Sequence, residues 1–320
     1  MRRRDFIRLF AGTAAWPLAA PAQQSKVSRI GVLTLTEAHE KSFADELRAG
    51  LRELGNIEGQ NFVLELRSAG GDANRLSKLT AELVRRKVDV IAAVFTPCAK
   101  AAKQATATIP IVMISADPIG TGLVASLARP GGNVTGLSNM APETAGKIVG
   151  LFRDMLPSLR RVAVLANPAN PFTKSMLQQI EFAGRSAKIE IAPVAMVEGL
   201  DAIEAAFAAM ARQRADAVVV QSIYFARAVA DLAVKYRLPS GAVLRSFVAA
   251  GGLMSYGAHV PHLFRRSAAF VHKIVQGAKP ADLPVEQATK FELVINLKTA
   301  KAIGLAIPES FLLRADKVIE

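Results

Sequence analysis

The sequence predicts an α/β protein of two lobes, each built around a doubly wound parallel sheet. The first observation is an alternation of short, β-branched apolar runs with amphipathic helical segments between residues 29 and 137. The second is that a similar alternation starts again near residue 143 and continues to residue 256. The third is size, because 320 residues that are 51% hydrophobic and 21% charged suffice for two globular domains.

The first series contains five predicted strands and four predicted helices. The apolar runs predict strands at 29–35, 61–67, 88–95, 110–115 and 133–137. The helical spacing of apolar residues predicts helices at 42–54, 72–87, 120–129 and from residue 96 onward. Thr96 and Pro97 are typical of an N-cap and a first helical position, so they predict where the helix after the third strand begins.

The second series is longer and ends in a tail with few strands. Strands are predicted at 161–166, 189–197, 217–221, 241–244, 253–256 and 291–297. Helices are predicted at 143–156, 170–187, 200–214, 226–236, 247–251, 263–276 and 299–303. Because the tail cannot form a sheet of its own, it must add to the sheets that the earlier strands form.

One stretch carries a family resemblance. The run DPIGTGLVASLARPGGNVTG, residues 117–136, resembles the signature of a family of ABC-transporter substrate-binding proteins, which are periplasmic binding proteins of type I topology. Family-like stretches also occur at 51–61, 247–257 and 283–304. The resemblance therefore covers essentially the whole chain after the leader.

The resemblance also implies how the chain is divided between the lobes. It implies a hinge of three crossovers, near Gly136, Tyr256 and Lys290. The expected divisions are a signal peptide at 1–22, a first lobe at 27–137 and 258–289, and a second lobe at 138–257 and 290–320.

The first 22 residues have the pattern of a cleaved signal peptide. A basic start precedes a short apolar core and the small-x-small sequence at 20–22, near which cleavage is expected. The run Arg3-Arg4-Asp5-Phe6-Ile7 resembles the twin-arginine export motif, and an ordinary secretory signal with additional arginines is the alternative. Both interpretations predict a periplasmic mature protein.

The net charge of +13 raises the question of a nucleic-acid partner. The positive charges are spread over many predicted helices, with no basic arm carrying interleaved aromatic residues and no zinc-finger or RNA-recognition motif. We therefore expect a solvated basic surface and no nucleic-acid binding. A regulator of the lactose-repressor type would share two such lobes, but the leader stands where its helix-turn-helix would be.

The sequence contains no intact enzymatic or metal-binding motif. A phosphate loop and a dinucleotide-binding turn are both missing, and the nearest nucleophile elbow, LMSYG at 253–257, lacks its first glycine. His259 and His262 stand outside any H-E-x-x-H pattern, and Cys98 is the only cysteine. We expect no catalytic residue, no cofactor and no metal.

Candidate ligand-binding residues are the polar and aromatic side chains at the carboxyl ends of predicted strands, where doubly wound sheets bind ligands. They are Thr34, Thr36, Thr96, Pro97, Asp117, Asn167, Asn170, Tyr224, Ser246 and Tyr256. Helix caps and ordinary polar loops explain the polar members equally well, and core packing explains the aromatic ones.

Three of these positions suggest specific roles. The helix starting at Thr96-Pro97 offers free N–H groups to a ligand carboxylate, and Asp117 offers a carboxylate to a ligand ammonium. Asn170 would face the same ligand from the second lobe. Cys98, one residue further into the helix, is either a thiol activated by the helix N-terminus or a buried inert one. The resemblance adds that some family members bind aromatic amino acids.

These observations predict a periplasmic solute-binding receptor of an ABC importer. It would capture a small solute, such as an amino acid or another small carboxylate, by hinge closure and would act as a monomer that docks on a membrane permease. An exported two-lobed α/β enzyme, such as a transferase, is the alternative.

Overall fold

The computed structural model describes residues 27–221 and 226–320. The strands are β1 (Ser28–Thr34), β2 (Phe62–Ser68), β3 (Val90–Val94), β4 (Ile111–Ser115), β5 (Val134–Ser138), β6 (Arg161–Ala166), β7 (Glu190–Met196), β8 (Ala217–Val220), β9 (Ser240–Ala242), β10 (Met254–Ala258), β11 (Glu286–Gln287), β12 (Phe291–Asn296) and β13 (Lys317–Ile319). The helices are α1 (Glu37–Glu53), α2 (Leu76–Arg85), α3 (Thr96–Ala105), α4 (Ala141–Met155), α5 (Thr173–Ala187), α6 (Leu200–Arg212), α7 (Ala226–Lys235), α8 (Arg245–Ala249), α9 (Val260–Val275), α10 (Leu297–Ile303) and α11 (Glu309–Leu312).

The strands form two sheets, and each sheet is the centre of one lobe. The first sheet has the order β11-β5-β4-β3-β1-β2, with every pair parallel. The second has the order β13-β12-β10-β9-β8-β6-β7 and is parallel except where β10 meets β12. The predicted fold class, two doubly wound parallel-sheet lobes, is confirmed.

Each sheet is covered on both faces by helices, which is what the apolar strands require. In the first lobe, α1 and α9 cover one face and α2 and α3 the other. The rings of Phe43 on α1 and Phe264 on α9 meet edge to face, with their centroids 5.1 Å apart. In the second lobe, α4 and α5 cover one face and α6 and α7 the other.

The chain passes between the two sheets three times: after β5, after β10 and after β11. A glycine in each of the first two of these strands allows a neighbouring backbone to approach closely. A Cβ at Gly136 would lie 2.1 Å from the Met113 carbonyl oxygen, and one at Gly257 would lie 1.9 Å from that of Val243. The lobe bounds expected at the level of single residues stay a prediction.

The helix predicted at 120–129 is wrong, because the segment folds into successive turns. The Asp117 carboxylate accepts a hydrogen bond from the Gly120 N–H at 2.8 Å, and Gly122 has a left-handed φ of 71°. Leu123 and Val124 both donate their N–H to the Pro118 carbonyl oxygen. Both side chains are buried, so their spacing reflects packing of the turns and not a helix face.

The starts of several helices also differ from prediction, and three of them bear on the candidate site residues. α1 begins five residues earlier than expected, because the Thr36 hydroxyl accepts a hydrogen bond from the His39 N–H and caps a polar first turn. The cap position of α3 is Phe95 and not Thr96, and α5 begins at Thr173, three residues after Asn170. β11, β13 and α11 were not predicted, since each is only two to four residues long.

Candidate ligand-binding site

The carboxyl ends of the strands of both sheets meet in a cleft between the lobes, and one part of this cleft is a narrow cavity of about 30 Å³. We call this the inner cavity. Its lining residues come from both lobes, and none of them carries an acidic group, a lysine or an arginine. They are His39, Phe95, Thr96, Ala116, Asn139, Ala141, Phe172, Gln221, Val243 and Leu244.

Phe95 forms one wall of the inner cavity with a strained backbone. Its φ of 69° and ψ of 160° lie in a region that non-glycine residues rarely occupy. The conformation turns the chain sharply from β3 into α3 and places the Phe95 ring beside the cavity. Strain of this kind persists only where the surrounding structure holds it, and it occurs preferentially at binding sites.

Thr96 fastens this turn to the neighbouring strand. Its hydroxyl oxygen accepts a hydrogen bond from the Ala116 N–H at 3.1 Å and lies 3.2 Å from the Ser115 hydroxyl. Asn139, after β5, accepts a hydrogen bond from the Ala141 N–H through Oδ1, which positions the start of α4. No described residue occupies the Asn139 amide donor, so it remains able to hydrogen-bond a ligand.

His39 lines the inner cavity from the first turn of α1. Its Nδ1 lies 2.9 Å from the Thr36 hydroxyl, and its ring meets the Phe95 ring edge to face with centroids 4.9 Å apart. Burial lowers the pKa of His39 below its ordinary value of 6.5, so the imidazole is neutral at pH 7. The inner cavity is therefore electrically neutral as well as enclosed.

The second lobe contributes Gln221 and Phe172. The Gln221 side-chain oxygen accepts a hydrogen bond from the Asn167 N–H at 2.8 Å, and its Nε2 donates to the Thr173 hydroxyl at 2.9 Å. These bonds join the ends of β8, β6 and α5 and hold the second-lobe wall in place. The Phe172 ring, which is 6% exposed, packs between this wall and the core of the lobe.

A wider cavity of about 770 Å³ lies beside the inner cavity and opens to solvent; we call it the outer cavity. The first lobe lines it with residues that include Asp72, Asn74 and Lys100, and the second lobe with Asn170 and Glu198. Lys100 and Glu198 have opposite charges and face the same space from opposite lobes. Neither is in an ion pair with another described residue.

The predicted site residues fall into three groups. The first group lies at the two cavities: Thr96 lines the inner cavity, Pro97, Asn167 and Asn170 line the outer cavity, and Thr34 and Thr36 form the turn that carries His39. The second group lines neither cavity and consists of Asp117, Ser246 and Tyr256. Tyr224 lies outside the described residues.

The second group has other contacts. The Asp117 carboxylate holds the turn at Gly120, and Ser246 is exposed on α8. Tyr256 stacks on Phe291 with ring centroids 6.2 Å apart and faces a groove along α4 and α5. The structure therefore does not bring these three side chains to the cavity walls.

Cys98 is fully buried, and this burial raises the pKa of its thiol. Of the two interpretations of Cys98, the inert buried thiol is confirmed and the activated one is wrong. His259 caps α9 by accepting a hydrogen bond from the His262 N–H at 3.2 Å. Within the described residues, no group of three or more His, Cys, Asp and Glu side chains is arranged to hold a metal.

The sequence did not single out His39, Asn139, Phe172 or Gln221 as site residues. Asn139 and Gln221 each follow the last residue of a strand by one position, so the rule that selected the other candidates should also have found them. His39 was missed because α1 was predicted to begin three residues after it. Phe172 has no signal in the sequence, since its spacing is typical of core.

No helix in the described ranges is both long and apolar enough to span a bilayer. One curated relative is the "Tyrosine-binding protein" of Clostridioides difficile strain R20291, which is 25% identical over 288 residues, covering 88% of this chain and 82% of the relative.

Two solved structures are similar across the same region. A conserved domain protein from Vibrio cholerae has a TM-score of 0.85 at 27% identity, and an ABC domain in complex with L-Trp from Streptococcus pneumoniae has a TM-score of 0.84 at 26% identity. Each comparison covers 92% of this chain and 100% of the other. A ligand-free, open substrate-binding protein from Clostridium difficile shares the fold, with a TM-score of 0.71 at 22% identity.

The sequence model of the family described as ABC transporter substrate binding protein matches residues 30–319. Proteins of this family bind solutes, are not enzymes and typically work outside the cytoplasm with ABC permeases. The family expected from the resemblance, and a binding function in place of catalysis, are thereby confirmed. The chain belongs to the ABC transporter substrate binding protein family.

Proposed function

We propose that the chain is the periplasmic receptor of an ABC importer and captures an amino acid with an apolar or aromatic side chain between its lobes. The observation that carries this proposal is the inner cavity, which both lobes line with strand ends and which contains no charged side chain. A site walled by Phe95, Phe172 and neutral His39 favours an apolar group, because burying a charge there would be costly.

Two relatives support an amino-acid ligand. The Clostridioides difficile relative is named for tyrosine, and the Streptococcus pneumoniae structure contains L-Trp. Both proteins are about one-quarter identical to this chain over most of its length. Phe95 and His39 already meet edge to face, and an aromatic ligand would extend that arrangement.

The polar ends of the ligand require donors and acceptors outside the apolar walls. The free amide donor of Asn139 suits the ligand carboxylate, and the start of α3 beside Phe95 directs its dipole toward the same region. Asp117, the ammonium partner expected from sequence, is already bound to the Gly120 N–H. The outer cavity contains two other carboxylates, Asp72 and Glu198, and Glu198 faces it from the second lobe.

Capture requires the lobes to move, because the inner cavity is far smaller than the roughly 300 Å³ or more of typical ligand pockets. In our account the lobes separate at the three crossovers, admit the solute and close on it. A solute that contacts both walls favours the closed form. Lys100 and Glu198 approach each other as the outer cavity narrows, and their attraction assists closure.

We further propose that the leader directs export, that the mature protein docks on a permease and that it acts as a monomer. Residues 1–22 lie outside the described residues, and their role in export by the twin-arginine route stays a prediction. Replacing Arg3 and Arg4 by Lys should retain the precursor in the cytoplasm. Normal export of that variant would remove the twin-arginine route and leave an ordinary signal peptide.

Size-exclusion chromatography of the mature protein should give the monomer mass, and a dimer mass would contradict the monomeric state.

Calorimetric titration tests the ligand class. The mature protein, from residue 23 onward, is titrated with L-tryptophan, L-tyrosine, L-phenylalanine and L-leucine, with D-glucose and L-aspartate as controls. We expect binding of at least one of the four apolar or aromatic amino acids and none of the controls. Binding of glucose or aspartate in their place would overturn the assignment.

A further inference from the structure

The amino-terminal edge of the second sheet carries a row of cations. β9, β8, β6 and β7 are neighbours and run parallel, so the turns that precede them lie side by side. Each of these turns holds an exposed basic residue within three positions of its strand. In the spatial order of the strands, these residues are Arg237, Arg214, Arg160 and Lys188. We call this row the basic edge; at 4.7–4.9 Å per strand it spans about 15 Å.

Three of the four residues have an unusual backbone. Lys188, Arg214 and Arg237 have left-handed φ values of 57°, 56° and 51°, each directly after a helix or its C-cap. Glycine is the usual residue there because it lacks the Cβ that disfavours this conformation, and asparagine comes next because its short polar side chain can hydrogen-bond to the nearby backbone. A cation at a helix C-terminus is stabilised by the helix dipole, which explains in part why basic residues occupy these three positions.

The helix dipole does not explain why the row of cations occurs on one lobe and not on the other. At the equivalent edge of the first sheet, Lys87 has the same left-handed conformation, but Arg86 beside it is paired with Glu65 at 3.3 Å. The next strands, β4 and β5, follow Pro110 and Asn133, which are uncharged. Among the described residues of the first lobe, the only other cation near this edge on a strand beside β3 is Arg29 in β1, so a row of four cations occurs there on the second lobe and not on the first.

Local carboxylates offset only part of the positive charge at the basic edge. Within the described ranges, none of its four members is in an ion pair. The Oδ2 atom of Asp216 accepts hydrogen bonds from the backbone N–H groups of Arg160 and Arg161, both at 2.8 Å. Glu190 is paired with the Arg161 guanidinium at 2.7 Å. Arg212, in the last turn of α6, adds a further exposed cation.

The position of the basic edge determines what it can contact. The carboxyl ends of the same strands form the cleft, so the basic edge lies at the opposite end of the second lobe. A partner bound there leaves the cleft open. Four cations in a row over about 15 Å, fixed by sheet register and without a concave pocket, suit a surface that presents many separate phosphates better than one small anion.

We propose that the basic edge holds the second lobe against an anionic phospholipid surface while the cleft stays accessible to solute. The membrane as partner rests on the proposed receptor role, because an ABC receptor acts beside the bilayer that contains its permease. The attraction is electrostatic and falls off within a Debye length, so it concentrates the protein at the membrane without inserting it.

Vesicle co-sedimentation of the mature protein tests the proposal. Vesicles of phosphatidylcholine mixed with phosphatidylglycerol should sediment the protein at low ionic strength, and vesicles of phosphatidylcholine alone should not. The edge variant is Arg160→Gln, Lys188→Asn, Arg214→Asn and Arg237→Asn, with asparagine chosen because it tolerates the left-handed conformation. Each cation near a lipid surface contributes about fivefold in affinity, so the edge variant should bind roughly two to three orders of magnitude more weakly.

A matched variant separates the basic edge from net charge. Lys41, Lys78, Arg129 and Lys301 are exposed and lie outside the basic edge, and replacing all four by glutamine removes the same charge. This variant should retain most of the vesicle binding. Equal loss in both variants, or no binding by the wild type, would overturn the proposal.

Two further measurements distinguish phospholipid from other polyanions and separate the membrane contact from the proposed receptor function. Equal retention of the wild type by double-stranded DNA and by anionic vesicles at the same salt would overturn the lipid assignment in favour of a general polyanion surface. Solute titration of the edge variant should give wild-type affinity, since the cleft is unchanged. A wild-type protein that binds solute but not anionic vesicles would therefore contradict the basic edge alone, whereas a wild-type protein that binds none of the solutes would contradict the receptor function.

Discussion

The inner and outer cavities both lie at the carboxyl-end side of the sheets but differ in charge and size. The inner cavity is narrow, neutral and walled by Phe95, Phe172 and His39. The outer cavity is wide and places Lys100 and Glu198 opposite each other. Desolvated contacts discriminate strongly between solutes, whereas exposed charges discriminate weakly. The inner cavity should therefore determine which solute binds, and the outer cavity should determine how readily the lobes close.

Gln221→Leu should have the largest effect and is the strongest test of the role of the inner cavity. It leaves the buried Asn167 N–H without its acceptor and removes the Gln221 amide that donates to the Thr173 hydroxyl at the second-lobe wall. Each buried group left unpaired costs about 1–3 kcal/mol, so solute affinity should fall roughly a hundredfold in calorimetry. Gln276→Leu, at the exposed end of α9, is the matched control and should bind as the wild type does.

Asn139→Ala should have the next largest effect. It removes the amide that we assign to the ligand carboxylate, and affinity should fall about tenfold. Asn74→Ala makes the same change at an exposed position of the outer cavity and should change affinity less than twofold. Equal losses in the two variants would contradict the division between the cavities.

Lys100 and Glu198 test the outer cavity. Lys100→Glu places two like charges across the gap, which should weaken solute binding a few-fold at low salt, with less effect at high salt. Restored affinity in the double variant Lys100→Glu/Glu198→Lys would establish that the two side chains act on each other. A double variant as weak as the single one would contradict this.

The smallest expected effect is the pH dependence that His39 adds to stability. Burial lowers the pKa of His39 in the folded state, while the unfolded state keeps a value near 6.5. Below about pH 6.5 the unfolded chain therefore binds a proton that the folded chain resists, and the free energy of unfolding should fall until the folded pKa is passed. Urea unfolding of His39→Gln should show a shallower decline over this range, and an unchanged decline would assign it to other groups.

The sequence predicted the fold more completely than the site. Alternating strands and helices follow from hydrophobic periodicity, so almost every strand was predicted within two residues. The segment at 120–129 failed because its apolar spacing imitates a helix, while hydrogen bonds to Asp117 and Pro118 hold it in turns. Local pattern cannot reveal such competing bonds.

The prediction of the site was limited because the sequence does not reveal in which direction a side chain at a strand end points. The strand-end rule selected Thr96, Asn167 and Asn170, which line the two cavities, but it also selected Tyr256, which faces the groove along α4 and α5. The left-handed Phe95 could not be predicted, because its conformation is imposed by the packing of β3 and α3 and not by its own preference.

Small-angle scattering of the mature protein during titration measures directly whether the two lobes close on a captured solute. We expect the radius of gyration to fall and saturate on addition of whichever amino acid binds in calorimetry, and to stay constant with D-glucose. A radius of gyration that does not change as that amino acid saturates the protein would contradict capture by closure.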